Sequence, residues 1–305
     1  MADITWKRTG TLLRKLIAVL MQSPEGLPAG VALSKVAEGE TMSAYEAGTY
    51  KSGNRRFEII IRWGTVDLVK AGWLLKHKGT WSVTEEGAEA YKKWPDPEAY
   101  YKEAVRLYRQ WKGARRGELP NSAVEAPSDI DVSSETEEAE KLTAVTFEQA
   151  DEQAWSEIEA HVANIDPYDF QDLVADLLKA MGYYPSWTSP PGKDGGLDII
   201  AHPDPLGTRP PRIKVQVKRQ QQRVSREGLS AFLAHVNEDD VGLFVCTGGF
   251  TRDADEFARN QERRKITLID LERLVDLWIE FSPKLSEKVR DRLPLTPIYF
   301  LTPRR

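Results

Sequence analysis

The sequence contains little cysteine and little histidine. Cys246 is the one cysteine among 305 residues, which excludes a disulfide framework. The four histidines are not spaced as zinc ligands are, either from one another or from this thiol, so we expect no structural zinc site. The longest early apolar run, residues 16–21, is too short to span a membrane and is followed by no convincing signal-peptide cleavage site. The sequence therefore predicts a soluble, cytoplasmic protein.

Basic residues are almost absent from the middle of the chain. Residues 117–165 carry one Lys/Arg and 13 Asp/Glu, residues 1–116 carry 20 and 13, and residues 166–305 carry 21 of each. This distribution, within a formal net charge of −5, indicates two domains joined by a solvated segment. The basic first part favours a polyanionic partner, since clustered Lys and Arg attract phosphates. Ordinary surface charge is the alternative explanation.

The joining segment is poor in the residues that build a core. Residues 113–144 contain no aromatic residue and few large apolar ones, so this stretch buries too little surface to offset the entropy of ordering it. We predict a first domain at 1–112, an acidic flexible linker at 113–145 and a second domain at 146–305. A linker that mimics DNA and shields a basic groove is the alternative.

The first domain has the pattern of a mainly α-helical winged-helix module. Leucines at four-residue spacing from Leu12 to Leu20 predict a first helix, and apolar stripes predict a second near 31–37 and a third at 57–71. Residues 73–83 predict two short strands around a turn at Lys78-Gly79. Three helices followed by a hairpin are typical of a winged helix.

The third helix of such a module enters the major groove of DNA. Basic residues before and on this helix and at the hairpin are therefore the predicted DNA contacts: Lys51, Arg55, Arg56, Arg62, Lys76 and Lys78. A winged helix that pairs with another protein is the alternative.

The second domain follows the order α-β-β-β-α-β-α-β-α from residue 165. A short apolar strand at 197–201 contains one acid, Asp198, and an unpaired carboxylate among apolar neighbours is costly. The next strand, 212–219, alternates strictly, with Gln216 and Lys218 on one face. The short connection favours antiparallel pairing, which would bring Asp198 towards Gln216 and Lys218.

An acid beside an amide oxygen and a lysine has a clear chemical use. Hard cations such as Mg²⁺ or Mn²⁺ take oxygen ligands, which Asp198, the Gln216 side chain and the Val217 carbonyl would supply. A metal in this position polarises a phosphodiester and lowers the pKa of a bound water. Lys218 would then orient that water and stabilise developing negative charge.

Six short motifs occur in one order across residues 165–280. They are Asp166-Pro167-Tyr168-Asp169-Phe170-Gln171, Met181-Gly182-Tyr183, Asp194-Gly195-Gly196-Leu197-Asp198, Gln216-Val217-Lys218, Thr247-Gly248-Gly249-Phe250-Thr251 and Leu268-Ile269-Asp270. Through this ordered set the sequence resembles the Mrr-type restriction endonucleases of the PD-(D/E)xK nuclease superfamily. The winged-helix region followed by a linker is also similar to the N-terminal part of full-length Mrr proteins.

The resemblance implies a restriction-endonuclease-like α/β fold with a central mixed sheet. It implies that Asp198 is the metal-binding acid, that Gln216 takes the second acidic position and that Lys218 is the catalytic lysine, with Asp194 at the edge of the site. It further implies Mg²⁺-dependent cleavage of DNA that carries methylated or otherwise modified bases. Gln171 departs from the family pattern, which has Glu at that position.

Gln171 has two interpretations: it supports the metal through a bridging water, or it is a solvated helix residue.

We predict a modification-dependent restriction enzyme acting on double-stranded DNA. A repair or recombination nuclease of the same fold and a catalytically silent DNA-binding protein are the alternatives. Because cutting both strands usually needs two active sites, we expect a homo-oligomer.

Overall fold

The computed structural model describes residues 5–50, 53–116, 135–192 and 196–299. The chain forms two compact units, the first containing residues up to Glu157 and the second running from Ile158 to Ile298. Most of the predicted linker, 117–134, lies outside the described residues. Its two ends differ from the prediction, because residues 113–116 and 135–145 are helical.

The first unit contains helices and a small antiparallel sheet in the strand order β1-β3-β2. Its elements are α1 (Trp6–Met21), β1 (Leu27–Pro28), α2 (Ala29–Glu38), α3 (Arg56–Lys70), β2 (Leu74–His77), β3 (Thr80–Val83), α4 (Glu85–Lys93), α5 (Pro97–Arg116) and α6 (Glu135–Asn164), of which α6 continues into the second unit. The three predicted helices and the predicted hairpin are therefore present. The sequence did not predict β1 or the length of α5 and α6.

Local chemistry accounts for the boundaries of these elements. The Thr5 hydroxyl accepts a hydrogen bond from the backbone of Arg8 at the start of α1, and the Thr84 hydroxyl accepts one from Gly87 at the start of α4. Between β2 and β3, Lys78 and Gly79 both have positive φ, 45° and 74°, as a two-residue hairpin turn requires. The apolar face of α1 is fully buried in the core of this unit.

The second unit is built around a five-stranded mixed sheet in the order β4-β5-β6-β7-β8. Its elements are α7 (Pro167–Ala180), β4 (Tyr184–Thr188), β5 (Ile199–His202), β6 (Arg212–Lys218), α8 (Arg226–Leu233), β7 (Asp240–Cys246), α9 (Arg252–Arg259), β8 (Lys265–Ile269), α10 (Leu271–Phe281), a 3₁₀ turn (Ser282–Lys284) and α11 (Glu287–Arg290). Strands β4, β5 and β6 pair antiparallel, and β6, β7 and β8 pair parallel. The predicted α/β class, element order and mixed sheet are confirmed.

The core of this unit follows from the apolar pattern of its elements. Helix α7 begins at Asp166, whose side chain accepts a hydrogen bond from the Tyr168 backbone, and it buries Phe170 completely. The apolar strand β7 lies between two neighbours, and its last residue, Cys246, is a buried free thiol. Within the described ranges no helix combines the length and the apolar character needed to cross a bilayer.

Candidate active site

The β5–β6 pairing determines the position of Asp198. Ile199 pairs with Val215 in antiparallel register, and the Asp198 backbone amide donates to the Val215 carbonyl at 2.8 Å. Asp198 immediately precedes this ladder, beside the part of β6 that contains Gln216 and Lys218. Gln216 and Lys218 are two residues apart on β6 and therefore project to one face of the strand. The predicted antiparallel pairing of β5 with β6 is confirmed.

The carboxylate of Asp198 is half-buried and bonded to the neighbouring strand. Its Oδ2 accepts a hydrogen bond from the Val217 backbone amide at 2.7 Å. Burial raises the pKa of Asp198, while that hydrogen bond and the positive charge of Lys218 act in the opposite direction. The charge effect indicates that Lys218 lies close enough to interact with this carboxylate.

The oxygen atoms at this end of β5 fit a hard cation. Val215 and Val217 are two residues apart on β6, so their carbonyls point to the same side, and the Val215 carbonyl faces the β5 side. The Val217 carbonyl therefore points towards the Asp198 side, past the end of β5. One carboxylate oxygen, one amide oxygen and one carbonyl are the donor types that Mg²⁺ prefers. Among the described residues no group of three or more His, Cys, Asp or Glu side chains is arranged to hold a metal.

Lys218 is the last residue of β6, and a loop follows it. Its backbone carbonyl accepts a hydrogen bond from Thr247 at 3.1 Å, which fixes the end of the strand against β7. Its Nζ lies 5.8 Å from the centre of the Phe244 ring. The positive charge of this ammonium also acts on the Asp198 carboxylate, as its effect on the pKa indicates. Asp194, the fourth predicted catalytic residue, lies outside the described residues.

Gln171 is buried, so the interpretation of a solvated helix residue is wrong. The residue is 7% exposed, and its Nε2 donates to the carbonyl of Ser189 at 3.0 Å. The Ser189 amide in turn donates to the carbonyl of Asp198 at 2.8 Å. Gln171 therefore holds the backbone segment that pairs with Asp198. The sequence contained no signal for the role of Ser189, because a backbone contact leaves no pattern in residue types.

We expect Gln171→Glu to destabilise the fold, although it introduces the residue usual in the family. A glutamate has no N–H to donate, so its oxygens would face the Ser189 carbonyl, and a buried acceptor without a donor costs about 1–3 kcal/mol. Urea denaturation in the absence of divalent metal measures this change. Gln110→Glu, at an exposed position of α5, is the control and should alter stability little. Equal stability of Gln171→Glu and wild type would contradict the expected role of Nε2.

The predicted DNA contacts of the first unit lie in different environments. Arg55 is exposed, with an ion pair to Glu58 at 3.7 Å, and the guanidinium of Arg56 lies 4.5 Å from the centre of the Tyr45 ring. Lys78 is half-buried at the hairpin turn. Lys51 lies outside the described residues.

Arg62 and Lys76 differ from the exposed contacts that the sequence predicts. Their side chains are 5% and 15% exposed, because carboxylates of α6 cover them. These carboxylates belong to Glu148 and Glu152, four residues apart on one face of α6. The sequence interpretation missed both residues, and their i,i+4 spacing in the acidic segment was the one available signal.

A cavity of about 590 Å³ in the second unit lies away from Asp198. Among its lining residues are Tyr184 and His202, which pair at the end of the β4–β5 ladder opposite to Thr188 and Ile199. Asp198 immediately precedes Ile199. The cavity is therefore not part of the candidate site.

Three comparisons relate the chain to known proteins. Residues 162–278 match the family model Mrr_cat, described as a restriction endonuclease. The type IV methyl-directed restriction enzyme EcoKMrr of Escherichia coli (strain K12) is 26% identical over 304 residues, which cover 94% of this chain and 97% of that protein. A solved structure of MspJI restriction endonuclease with a 27-mer oligonucleotide aligns with a TM-score of 0.32 at 18% identity.

That MspJI alignment covers 71% of this chain and 52% of the MspJI chain, so this chain matches about half the length of that protein. The family match spans α7, all five strands of the mixed sheet and most of α10, and it contains Asp198, Gln216 and Lys218. Residues 162–278 thus match the Mrr_cat restriction endonuclease family, and most of the chain is similar to a type IV restriction enzyme.

Proposed function

We propose that this protein is a restriction endonuclease that hydrolyses phosphodiester bonds of methylated or otherwise modified double-stranded DNA with Mg²⁺ or Mn²⁺. One observation carries the proposal: the Asp198 carboxylate accepts a hydrogen bond from the amide of Val217, the residue between Gln216 and Lys218 on the neighbouring strand. The match to the Mrr_cat family model supports nuclease chemistry, and the E. coli relative is named a methyl-directed restriction enzyme.

Each residue of the site has a distinct role in this proposal. Asp198, the Gln216 amide oxygen and the Val217 carbonyl would hold the metal, which supplies Lewis-acid polarisation of the scissile phosphate when bound. Lys218 orients the attacking water and stabilises the negative charge that develops on the phosphate oxygens. Asp194 adds a carboxylate at the edge of the site.

The first unit is proposed to be a winged-helix DNA-recognition domain. Helix α3 follows α1 and α2 and precedes the β2–β3 hairpin, which is the order of a recognition helix and its wing. Lys51, Arg55, Arg56 and Lys78 would contact DNA directly. Arg62 and Lys76 belong to the same surface, but their side chains form ion pairs with the carboxylates of Glu148 and Glu152 on α6. Because two strands must be cut, we propose that the chain acts as a homo-oligomer.

Plasmids of one sequence, methylated and unmethylated, test the function directly. The purified full chain should linearise or degrade methylated plasmid with Mg²⁺ and leave it intact with EDTA. Equal cutting of both plasmids would indicate a nuclease without modification dependence, such as a repair enzyme. A gel shift without cleavage in Mg²⁺ or Mn²⁺ would indicate a DNA-binding protein and would overturn the proposed chemistry.

A further inference from the structure

Two carboxylates of α6 bind two buried cations of the first unit. Nη1 of Arg62 donates to Glu148 at 2.9 Å and its Nη2 donates to Glu152 at 2.8 Å. The ammonium of Lys76 lies 2.5 Å from the second oxygen of Glu148. The backbone amide of Gly30, in the first turn of α2, donates to Glu152 at 3.2 Å. We call these donors, on Arg62, Lys76 and Gly30, the anion pocket.

The anion pocket is built by the elements that form the proposed recognition domain. Arg62 lies on α3, Lys76 on β2 and Gly30 at the N-terminus of α2, where backbone amides favour an anion. The Trp81 ring lies beneath both cations, 5.3 Å from the Arg62 guanidinium carbon and 4.5 Å from the Lys76 ammonium. Donors from three separate elements thus converge on one point.

The cations of the pocket stay buried only against an anion. Burial lowers the pKa of Lys76 to about 8 even though Glu148 opposes the effect. A buried cation without a counter-ion is costly, so any surface that replaces α6 over Arg62 and Lys76 has to supply negative charge. DNA phosphates satisfy this requirement, since phosphate and carboxylate oxygens accept the same charge-assisted hydrogen bonds from arginine and lysine.

The contact with α6 leaves part of the pocket unused. Among the described residues, none accepts a hydrogen bond from the buried Nε of Arg62. A phosphate group offers more acceptor oxygens than a carboxylate and can engage the guanidinium through two parallel hydrogen bonds. The carboxylates of α6 therefore do not accept hydrogen bonds from all the donors of the anion pocket.

We propose that the anion pocket binds backbone phosphates of double-stranded DNA and that Glu148 and Glu152 of α6 occupy it as an internal competitor. This inference rests on the proposed DNA-recognition role of the first unit. α6 then holds the recognition surface closed, and DNA binds after displacing it. The apparent DNA affinity is lowered by the small fraction of molecules in which the pocket is open.

The full-length double variant Glu148→Gln/Glu152→Gln tests the competition. Glutamine oxygens still accept hydrogen bonds from Arg62, but the charge that holds α6 in the pocket is lost, and water hydrates both cations in the molecules from which α6 has moved away. Fluorescence anisotropy with a labelled duplex in EDTA should show binding about 10-fold tighter or more than wild type. Asp151→Asn/Glu157→Gln, at exposed positions of the same helix, changes the net charge equally and should bind like wild type.

A reversible covalent lock gives a second measurement within one protein. A Cβ built on Gly79 would lie 3.5 Å from Cβ of Glu152, which is within disulfide range. In Gly79→Cys/Glu152→Cys, the oxidised form should bind the duplex about 10-fold more weakly than the reduced form, because the closed state cannot open. Gly79 has a positive φ, but both redox forms carry that strain equally.

Three outcomes overturn the inference in distinguishable ways. If wild type and the glutamine variant bind the duplex with equal affinity, and oxidation of the lock has no effect, then α6 does not compete with DNA. The proposed function would still stand. Equal tightening in Asp151→Asn/Glu157→Gln means that net charge alone is responsible. If no variant binds or cuts any duplex, the proposed function itself is wrong and the inference falls with it.

Discussion

Lys218→Ala should lower the rate of DNA cleavage by about 10²–10³-fold or more while leaving DNA binding intact. This is the range observed when one group that stabilises transition-state charge is removed from an active site. The structure supports the expectation because the positive charge of Lys218 acts to lower the pKa of the Asp198 carboxyl. Single-turnover cleavage of a methylated duplex with Mg²⁺ measures the chemical step.

Lys265→Ala provides the matched control for this experiment. Lys265 begins β8, the edge strand of the same sheet, and is exposed. The control should cut at the wild-type rate, and both variants should shift the duplex equally in a gel with EDTA. Wild-type cleavage by Lys218→Ala would show that this lysine does not act on the phosphate, and the proposed site would have to be abandoned.

Asp198→Asn should lower the rate of cleavage strongly and, in the absence of metal, raise the melting temperature. Cleavage should fall by about 10²-fold or more because the one described carboxylate of the site is lost. The asparagine oxygen can still accept the hydrogen bond from Val217, so the strand contact persists. Stability should rise because the raised pKa of Asp198 means that the fold disfavours its ionised form.

The pH dependence of this stability difference follows from the same pKa. A carboxyl whose pKa is higher in the folded than in the unfolded state destabilises the fold above the folded pKa. The penalty disappears as pH falls towards the ordinary value of 3.8, where both states are protonated. Thermal melts in EDTA should therefore show the largest advantage of Asp198→Asn at neutral pH and convergence with wild type in acid. A lower melting temperature of Asp198→Asn at neutral pH would contradict this account.

The architecture of the second unit could be predicted because its signals are local. Apolar alternation, the Asp166-Pro167 helix start and the glycines after helices fix the element order, and a short connection fixes the antiparallel β5–β6 pair. That pairing brings Asp198 beside the end of β6, where its carboxylate accepts a hydrogen bond from Val217. The parallel pairing of β6 with β7 agrees with the helical crossover between them.

The environment of the first unit's basic residues could not be predicted in the same way. Arg62 and Glu148 are 86 residues apart, and nothing near Arg62 in sequence indicates that a distant acidic helix covers it. The segment around residues 135–145 has the composition of a solvated linker, yet it belongs to α6. Composition reports the average cost of ordering a segment, whereas a few specific ion pairs determine where the helix docks.

Gln171 illustrates a third limit. A glutamine in place of the usual glutamate suggests, from residue type alone, a change in metal binding. In the structure its amide N–H donates to the Ser189 carbonyl, an interaction that an ionised glutamate cannot make. The residue type at an active-site position thus depends on the hydrogen bonds that its side chain makes to the surrounding backbone as well as on the ligand.

The burial of Cys246 has a practical consequence. Because burial raises the pKa of this thiol, it carries little thiolate at neutral pH and should resist maleimide reagents in the native state. Cysteines introduced on the surface would then be the fast-reacting thiols, without prior replacement of Cys246. Fluorophore pairs placed on chosen elements would allow internal distances to be followed by energy transfer, molecule by molecule, as duplex is added.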